Sequence, residues 1–260
     1  MGVLNVTPDS FSDGGKFNTV DAALHQIEQM VVDGASIIDV GGESTRPNAE
    51  PVPEELELQR VIPVLKKAIP RFPNTTFSID TTKYEVAKQA LDCGAHIVND
   101  VSGLEKEPRF AKLCAEYAAT YVLMHAQGTP KTMQVNPTYQ DVISDLDQFF
   151  DEKIQILSKA GVNDIVLDPG IGFGKRLDHN LKILAHLDTF TKKAFPVLVG
   201  ASRKSMIGQI LDGRPTEDRL TGTIAVHYHA LIQGARILRV HDVKEANDSI
   251  RIFKAIISHS

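Results

Sequence analysis

The sequence predicts an α/β protein, a (β/α)8 TIM barrel in which eight parallel strands and their helices close into one domain. Three observations predict it: short apolar, β-branched runs alternate with longer amphipathic segments, eight such runs occur, and a glycine-centred joint recurs. Strands covered by helices on both faces are apolar throughout, as these runs are. An open doubly wound sheet would show the same alternation, so closure is inferred from the number of strands. Residues 1–260 are accordingly predicted to be a single domain, since barrels of this class have about 250 residues.

The elements follow one another in strict alternation. The predicted strands are Val3–Val6, Ser36–Val40, Thr76–Ile79, Ile97–Asn99, Thr120–Met124, Ile165–Leu167, Val197–Val199 and Ile237–Val240. The helical patterns between them are Asp21–Val32, Glu54–Ala68, Lys83–Cys93, Arg109–Tyr117, Asp141–Ala160, Thr223–Gln233 and Val243–Ile257. A glycine at four joints marks where a helix ends in a left-handed turn before the next strand: Gly34, Gly94, Gly161 and Gly234.

Composition excludes several classes of protein. The chain has 28 Lys and Arg against 33 Asp and Glu, a formal net charge of −5, and so lacks the basic surface of a nucleic-acid-binding protein. No apolar run approaches the roughly 18 residues of a membrane span. The two cysteines, Cys93 and Cys114, show no metal-binding spacing and indicate a reducing compartment. We therefore expect a cytoplasmic protein with neither a nucleic acid nor a membrane as partner.

Nearly every apolar run ends in a hydrogen-bonding residue. One explanation is helix capping, because Asp, Asn and Ser are favoured at helix N-termini. The other is a shared site, because the carboxyl ends of barrel strands converge on one face, where active sites are built. The position of several of these residues directly at the strand end favours a polar pocket. The residues are Asn5, Asp39, Asp80, Asn99, His125, Asp168, Ser202 and Arg239.

One glycine pattern and one histidine pattern are excluded as binding motifs. The run from Gly170 to Lys175 is one residue short of a phosphate loop, has Arg176 in place of its hydroxyl residue, and fails the dinucleotide-binding spacing. His227 and His229 are two residues apart on a predicted helix and do not share a face for zinc.

The loops after the strands carry five segments in a fixed order: GVLNVTPDSFSDGG, GGESTRP, DPGIGFGK, SRKS and RVHDV. Together they resemble dihydropteroate synthases, enzymes of folate biosynthesis, and the similarity extends through all eight strand ends. Members of that family commonly have residues before the first strand, whereas this chain opens within it.

The resemblance implies condensation of hydroxymethyl-dihydropterin diphosphate with p-aminobenzoate, giving dihydropteroate and pyrophosphate. It implies Mg2+ bound through Asn5 and phosphate oxygens. It assigns the pterin to Asp80, Asn99, Met124, Asp168, Phe173, Lys204 and Arg239, and the diphosphate to Asn5, Thr45, Arg46, Ser202, Arg239 and His241. It assigns p-aminobenzoate to Phe11, Thr45, Arg46, Pro47, Phe173 and Ser205, and catalysis to Asp13, Asp80, Asp168, Lys204, Arg239 and His241.

The chemistry of the pterin fits these residue types. Its guanidine-like edge offers several N–H donors, which a carboxylate accepts in a fork. A helix cap at Asp80 and a turn before Pro169 at Asp168 are plausible singly, but together they would leave two unpaired charges at the barrel mouth, so we favour ligand contact. For three other residues a purely structural role remains an alternative to ligand contact. Lys204 could lie in a solvated turn, Met124 could belong to the ordinary core, and Arg239 could form an ion pair at the end of the barrel. The resemblance further implies an SN1-like alkyl transfer, in which the first two loops close over a carbocation.

Two other kinds of pterin-binding protein would have the same carboxylate and amide residues. A pterin-binding barrel methyltransferase has no use for a diphosphate cluster, which the run from Ser202 to Ser205 and the pair Arg239 and His241 indicate. A non-catalytic paralogue would lose its lid residues first, and Asp13, Thr45 and Arg46 are present. The family commonly forms homodimers. The predicted helix Val243–Ile257 has the apolar positions to allow this, but they could equally pack against the barrel.

Overall fold

The computed structural model describes residues 1–7, 16–44, 49–128, 132–133 and 136–259. Its strands, in chain order, are β1 Gly2–Asn5, β2 Ile37–Gly41, β3 Thr76–Asp80, β4 Ile97–Asp100, β5 Thr120–Met124, β6 Ile165–Asp168, β7 Leu198–Val199 and β8 Ile237–Leu238. All eight predicted strands are confirmed, with ends shifted by at most two residues. The three strand-end acids Asp80, Asp100 and Asp168 fall inside β3, β4 and β6.

The strands close into a barrel. Strands β1 to β6 are parallel and paired in sequence order, and β7 pairs with β8. A parallel bridge from Leu167 to Val197 joins β6 to β7, with the Leu167 amide donating to the Pro196 carbonyl at 2.9 Å. A second bridge joins β8 to β1, where the Val3 amide donates to the Val240 carbonyl at 3.0 Å. Each strand therefore has a neighbour on both sides, and the predicted (β/α)8 class is confirmed.

Helices cover the outside of the barrel. They are α1 Lys16–Val32, α2 Glu54–Arg71, α3 Tyr84–Asp92, α4 Phe110–Glu116, α5 Val142–Ala160, α6 Leu177–Ala185, α7 Asp188–Thr191, α8 Ser205–Ile210, α9 Leu220–Ile232 and α10 Val243–Ile257. Sequence periodicity predicted neither α6 nor α7, which have nine and four residues and are too short for a clear apolar stripe. Within the described ranges, none of these helices combines the length and apolarity needed to cross a bilayer.

The two faces of each strand pack against different parts of the molecule. Outward side chains such as Ile38, Phe77 and Leu167 pack against the helices in the main hydrophobic core. Inward side chains at the amino-terminal half form an apolar layer inside the barrel, here called the interior apolar layer: Ile97, Val122, Val166 and Leu198. Because side chains alternate along a strand, the residues two positions further on also point inward, toward the carboxyl end.

The four glycine joints have the conformation that the sequence predicted. The φ angles of Gly34, Gly94, Gly161 and Gly234 lie between 93° and 101°, in the left-handed region. A fifth joint, between α4 and β5, has Ala118 with φ 49° instead. A Cβ atom is strained in this region, so an alanine here carries a conformational cost that glycine would not.

This difference between alanine and glycine predicts stability changes of opposite sign for two substitutions. Ala118 is exposed, so replacing it by glycine removes strain with little loss of packing, and Ala118→Gly is expected to raise the free energy of unfolding by about 0.5–1 kcal/mol. The matched change Gly161→Ala meets no atom closer than 3.7 Å, so its expected loss of about 1 kcal/mol comes from backbone strain alone. Urea denaturation measures both. Equal signs for the two variants would contradict the explanation.

Candidate functional site

Several of the inward positions above the interior apolar layer are polar. Asp39 lies two residues after Ile37, Asn99 after Ile97, Asp168 after Val166 and Arg239 after Ile237. Asp80 lies directly beside Asn99 in the pairing of β3 with β4. These five residues, here called the inner polar layer, are brought together by strand alternation and by barrel closure. The predicted convergence of strand-end residues is thus what the fold produces.

Helix capping does not explain these residues. Helices α2, α3 and α6, which follow β2, β3 and β6, begin after Pro53, Lys83 and Arg176. Asp39, Asp80 and Asp168 lie several residues earlier, inside or at the end of their strands. Their carboxylates therefore face the barrel interior instead of the first turn of a helix.

The guanidinium group of Arg239 joins two carboxylates from neighbouring strands. Its Nε donates to Asp39 Oδ2 at 2.7 Å, and its Nη2 donates to Asp80 Oδ2 at 2.7 Å. The Asn99 amide Nδ2 also donates to Asp39 Oδ2, at 2.9 Å. Asp39 is 0% exposed, and its second oxygen, Oδ1, has no hydrogen-bond partner in the described structure. One buried carboxylate therefore fixes the orientation of both Arg239 and Asn99.

This arrangement corrects one sequence-based argument. We expected Asp80 to be an unpaired charge at the barrel mouth, which is wrong, because Arg239 reaches it from β8. Burial nevertheless raises the pKa of Asp80 to about 7, and Arg239 opposes that rise. Burial disfavours the charge on Arg239 too, but Asp39 and Asp80 outweigh it and raise the pKa of Arg239 above its ordinary value. The arginine is therefore charged, and two acids share it.

Asp168 lies on the other side of the mouth, among lysines. Its Oδ1 accepts the Gly170 amide at 2.8 Å. Burial raises the pKa of Asp168, opposed first by the charge of Lys204. Lys204 donates to the Ile171 carbonyl and lies 4.3 Å from the ring centroid of Phe173, a cation–π contact. Burial lowers the pKa of Lys204 to about 8. The solvated turn considered for Lys204 is thus wrong, because this amine is held inside the site.

The residues predicted for the diphosphate fall into two groups. Ser202 and His241 contact each other, with the Ser202 hydroxyl 3.0 Å from His241 Nδ1 and accepting the His241 amide at 3.2 Å. Asn5 ends β1 and is half-buried beside Gly41. Arg203, by contrast, forms a two-bond ion pair with Asp242 at 2.9 and 2.5 Å. Arg203 stands in the run from Ser202 to Ser205 but is not among the residues assigned to the diphosphate, and this ion pair directs its guanidinium to Asp242.

The remaining predicted residues are placed only in part. Met124 is 2% exposed and pairs with Asp168 in the register of β5 with β6, so core and ligand contact both remain compatible with it. Ser205 is the first residue of α8, a helix of only six residues. The predicted residues of the first two loops lie outside the described part of the chain: Phe11, Asp13, Thr45, Arg46 and Pro47.

Other polar groups beside the mouth were not predicted. Lys83 forms ion pairs with Glu43 and with the fully buried Glu57, next to a cavity of about 520 Å3 that Asp80 and Phe173 also line. Lys175 is buried against His125. Asp39 and His125 stood in the row of strand-end residues, which was the available indication for them. Lys83, Glu57 and Lys175 follow no such pattern, since their roles depend on contacts between distant segments.

Acids, an amide and cations share one opening, and the arrangement has a clear chemical capacity. The acids and the amide can accept N–H donors from a flat heterocycle, and the cations can hold an anion. Among the described residues, no group of three or more His, Cys, Asp or Glu side chains is placed to hold a metal ion.

Comparison with known proteins agrees with this geometry. A family model described as pterin-binding enzyme matches residues 1–241. The chain is 49% identical over 260 residues to a dihydropteroate synthase of Escherichia coli, covering 99% of this chain and 91% of that protein. A dihydropteroate synthase structure from Xanthomonas albilineans with 4-aminobenzoic acid superposes with a TM-score of 0.91 at 40% identity, covering 98% of this chain and 92% of the other. A dihydropteroate synthase structure from Clostridium difficile in the presence of pteroic acid superposes with a TM-score of 0.92 at 43% identity, covering 98% of this chain and 95% of the other.

The acid pair around Arg239 predicts a pH-dependent loss of stability in Arg239→Met. Removing a buried partner leaves charge uncompensated, so at pH 8 the free energy of unfolding is expected to fall by about 3–5 kcal/mol. Without the arginine the pKa of Asp80 rises further, and the folded variant binds a proton that the unfolded chain releases above its ordinary pKa of 3.8. Stability of the variant therefore decreases as pH rises, and the loss is smaller at pH 5 than at pH 8.

Arg71→Met is the matched control, because Arg71 forms an exposed ion pair with Glu28 at 3.1 Å. Its expected cost is below about 1 kcal/mol at either pH. Urea denaturation at the two pH values measures both variants. A loss for Arg239→Met that is the same at pH 5 and pH 8 would show that the two carboxylates are not its cause.

Proposed function

The chain belongs to the dihydropteroate synthase family, and we propose from its geometry how the barrel mouth performs the reaction of that family. The enzyme is a transferase that joins 6-hydroxymethyl-7,8-dihydropterin diphosphate to p-aminobenzoate, giving 7,8-dihydropteroate and pyrophosphate. The observation that carries the assignment of roles is that acids, an amide and a lysine meet at one mouth. Asp80 is paired with Asn99 across β3 and β4, and Lys204 is the first charge that opposes the effect of burial on Asp168.

The pterin is proposed to lie in the inner polar layer. Asp80 and Asp168 would accept its ring N–H and amino groups, each in a fork geometry that a carboxylate provides. Asn99 is already committed through Nδ2 to Asp39, so its carbonyl oxygen is the atom left to accept a further N–H group. Lys204 would donate to the carbonyl edge, and Phe173 and Met124 would contact the faces of the ring.

The reaction is proposed to be an SN1-like alkyl transfer. The bond between the pterin methylene carbon and the diphosphate oxygen breaks, and its electron pair leaves with pyrophosphate. The amine nitrogen of p-aminobenzoate then bonds the methylene carbon and loses a proton. Orientation and electrostatic stabilisation are what the site has to supply. Asp80 and Asp168 are placed to stabilise positive charge that spreads into the pterin ring.

Leaving-group stabilisation is assigned to the neighbouring strand ends. Ser202 and His241 are in contact at the ends of β7 and β8, and Arg239 lies two residues before His241. In the described structure Arg239 bonds Asp39 and Asp80 through Nε and Nη2. A guanidinium has five N–H donors, so those not used in these two bonds would be available to the departing anion.

The donor set at β1 fits Mg2+ as a companion of the diphosphate. Asn5 offers a single neutral amide oxygen, and the absence of an acidic cluster among the described residues suits an ion that keeps water and phosphate ligands. When bound, Mg2+ would neutralise charge on the leaving pyrophosphate. Asn5 would hold it there, beside the ends of β2 and β8.

The first two loops and the start of α8 complete the proposal. Phe11, Thr45, Arg46 and Pro47 would enclose p-aminobenzoate with Phe173 and Ser205. Thr45 and Arg46 would also reach the diphosphate, and Asp13 would lie near the reacting carbon. Closure of these loops would exclude water from the carbocation, which water would otherwise trap. Support for these roles comes from the family resemblance of the segments, since most of the residues lie outside the described chain.

A homodimer is proposed through the outer face of α9 and α10, which pack against each other. Large apolar side chains there are exposed to solvent: Ile232, Ile252, Ile256 and Ile257 are each at least half exposed. Burying such a patch favours association. Sedimentation equilibrium measures the oligomeric state. A cytoplasmic location is proposed as well, supported by two free thiols at Cys93 and Cys114.

One assay separates the proposed function from its two alternatives. With both substrates and Mg2+, the protein is expected to release pyrophosphate in a one-to-one ratio to dihydropteroate, and removal of Mg2+ by a chelator is expected to suppress the release reversibly. A pterin-binding methyltransferase or a non-catalytic paralogue would release none. The comparisons and the pairing of acids with Lys204 favour the synthase.

Asp168→Asn tests the pterin assignment. An amide keeps the size of the side chain but accepts at only one atom and lacks the charge, so affinity for a pterin is expected to fall about a hundredfold or more. Calorimetric titration measures the affinity, and far-ultraviolet circular dichroism checks the fold. Asp178→Asn, at an exposed carboxylate on α6, is the matched control and is expected to bind normally. Unchanged affinity in Asp168→Asn would remove the assignment.

A further inference from the structure

The run from Gly170 to Lys175, which matches no phosphate loop, ends in a lysine buried in the barrel mouth. Lys175 is 2% exposed. Its Nζ lies 3.0 Å from His125 Nδ1, 3.1 Å from the His125 carbonyl oxygen and 3.1 Å from the Phe173 carbonyl oxygen. An ammonium group has three N–H bonds, and here three acceptors surround it. Lys175 therefore ties the end of β5 to the loop after β6.

That loop can lie against β5 only because of its glycines. Gly170 and Gly174 have φ angles of 65° and 63°. A Cβ atom at Gly170 would lie 2.0 Å from the His125 carbonyl oxygen, and one at Gly174 would lie 2.2 Å from the Gln127 carbonyl oxygen. The close approach brings His125 within reach of Lys175, which also bonds the Phe173 carbonyl of its own loop. Glycine spacing and the lysine thus serve one local geometry.

Phe173 is held from two sides. Lys175 bonds its carbonyl oxygen, and Lys204 lies 4.3 Å from its ring centroid while donating to the neighbouring Ile171 carbonyl. Further along the loop, the Tyr139 hydroxyl donates to the Gly174 carbonyl at 2.7 Å. Three carbonyls of the loop, those of Ile171, Phe173 and Gly174, are therefore bonded by the side chains of Lys204, Lys175 and Tyr139. Lys175 also bonds His125, the residue that follows β5.

Electrostatics agree with this geometry. Burial lowers the pKa of His125 to about 2, and the charge of Lys175 lowers it further, so the imidazole is neutral and its Nδ1 can accept. Burial also lowers the pKa of Lys175 to about 7, whereas the Asp168 carboxylate raises it. The ammonium is thus stabilised by the same carboxylate that is assigned to the pterin.

We propose that Lys175 is a positioning residue, which fixes Phe173 and the Ile171 carbonyl beneath Lys204 at the place where the two substrates meet. This inference rests on the proposed function, because the kinetic effect is expected through Phe173, which that function assigns to both substrates. Lys175 itself touches neither substrate.

Lys175→Met is the first test, because methionine keeps most of the side-chain volume and removes the three donors. The KM for p-aminobenzoate is expected to rise about tenfold or more, with a smaller change in kcat, since displacement of a contact residue is costly even without loss of chemistry. Lys182→Met is the matched control, as Lys182 is 46% exposed and pairs with Asp141 on the protein surface. A folded Lys175→Met protein with KM and kcat within twofold of the unmodified enzyme would overturn the proposal.

A milder variant and a spectrum cover the case in which Lys175→Met does not fold. His125→Phe keeps a ring against Phe149 and Tyr139 and removes one of the three acceptors, so a rise in KM of about threefold is expected. No rise would count against the proposal. In the unmodified protein, nitrogen-15 spectra are expected to show a neutral His125 with an unprotonated Nδ1 between about pH 5 and pH 8. Titration at its ordinary pKa of 6.5 would overturn the contact with Lys175.

Failure of the inference and failure of the function give different results. If the unmodified enzyme and Lys182→Met both release pyrophosphate while Lys175→Met keeps its KM, only the positioning role is wrong. If neither the unmodified chain nor the control turns over, the proposed function is wrong. The histidine spectrum then still reports whether Lys175 bonds His125.

Discussion

A single guanidinium group inside the barrel holds the acidic side of the site together. Arg239 bonds Asp39 and Asp80 at the same time, and Asn99 joins them through Asp39. Two carboxylates share one cation in a place that water reaches poorly, and burial raises the pKa of Asp80 to about 7. Ionisation of both acids is unfavourable there without further partners, so N–H donors bound at the mouth would stabilise the charged form. The other residues of the site lie around this buried group of charges.

The sequence predicted much of this arrangement, and the reason is the two-residue period of strands. Apolar runs located the strands, and the residues that end them, among them Asp80, Asn99 and Asp168, indicated a shared face. The direction of each side chain follows from its position relative to Ile97 or Val166. Nothing comparable specifies partners, because Asp39 and Arg239 are 200 residues apart in the chain.

The sequence-based predictions that failed did so because a linear pattern does not specify contact partners. Arg203 looked like part of an anion site because it stands between Ser202 and Lys204, but its backbone has φ 55° and its side chain reaches Asp242 instead. Lys175 was set aside because its glycine run failed a phosphate-loop pattern. Its actual surroundings, the end of β5 and the Phe173 carbonyl, depend on how two adjacent strands place their loops. A linear pattern contains no information about that placement.

Below the inner polar layer, the interior apolar layer fills the barrel with Ile97, Val122, Val166 and Leu198. Above this floor, the described part of the barrel is open at the carboxyl ends of its strands. In the proposed arrangement the pterin lies at the floor and the diphosphate lies above it. The small anion would then leave before the larger conjugate, so the depth at which each molecule lies would set the order of release.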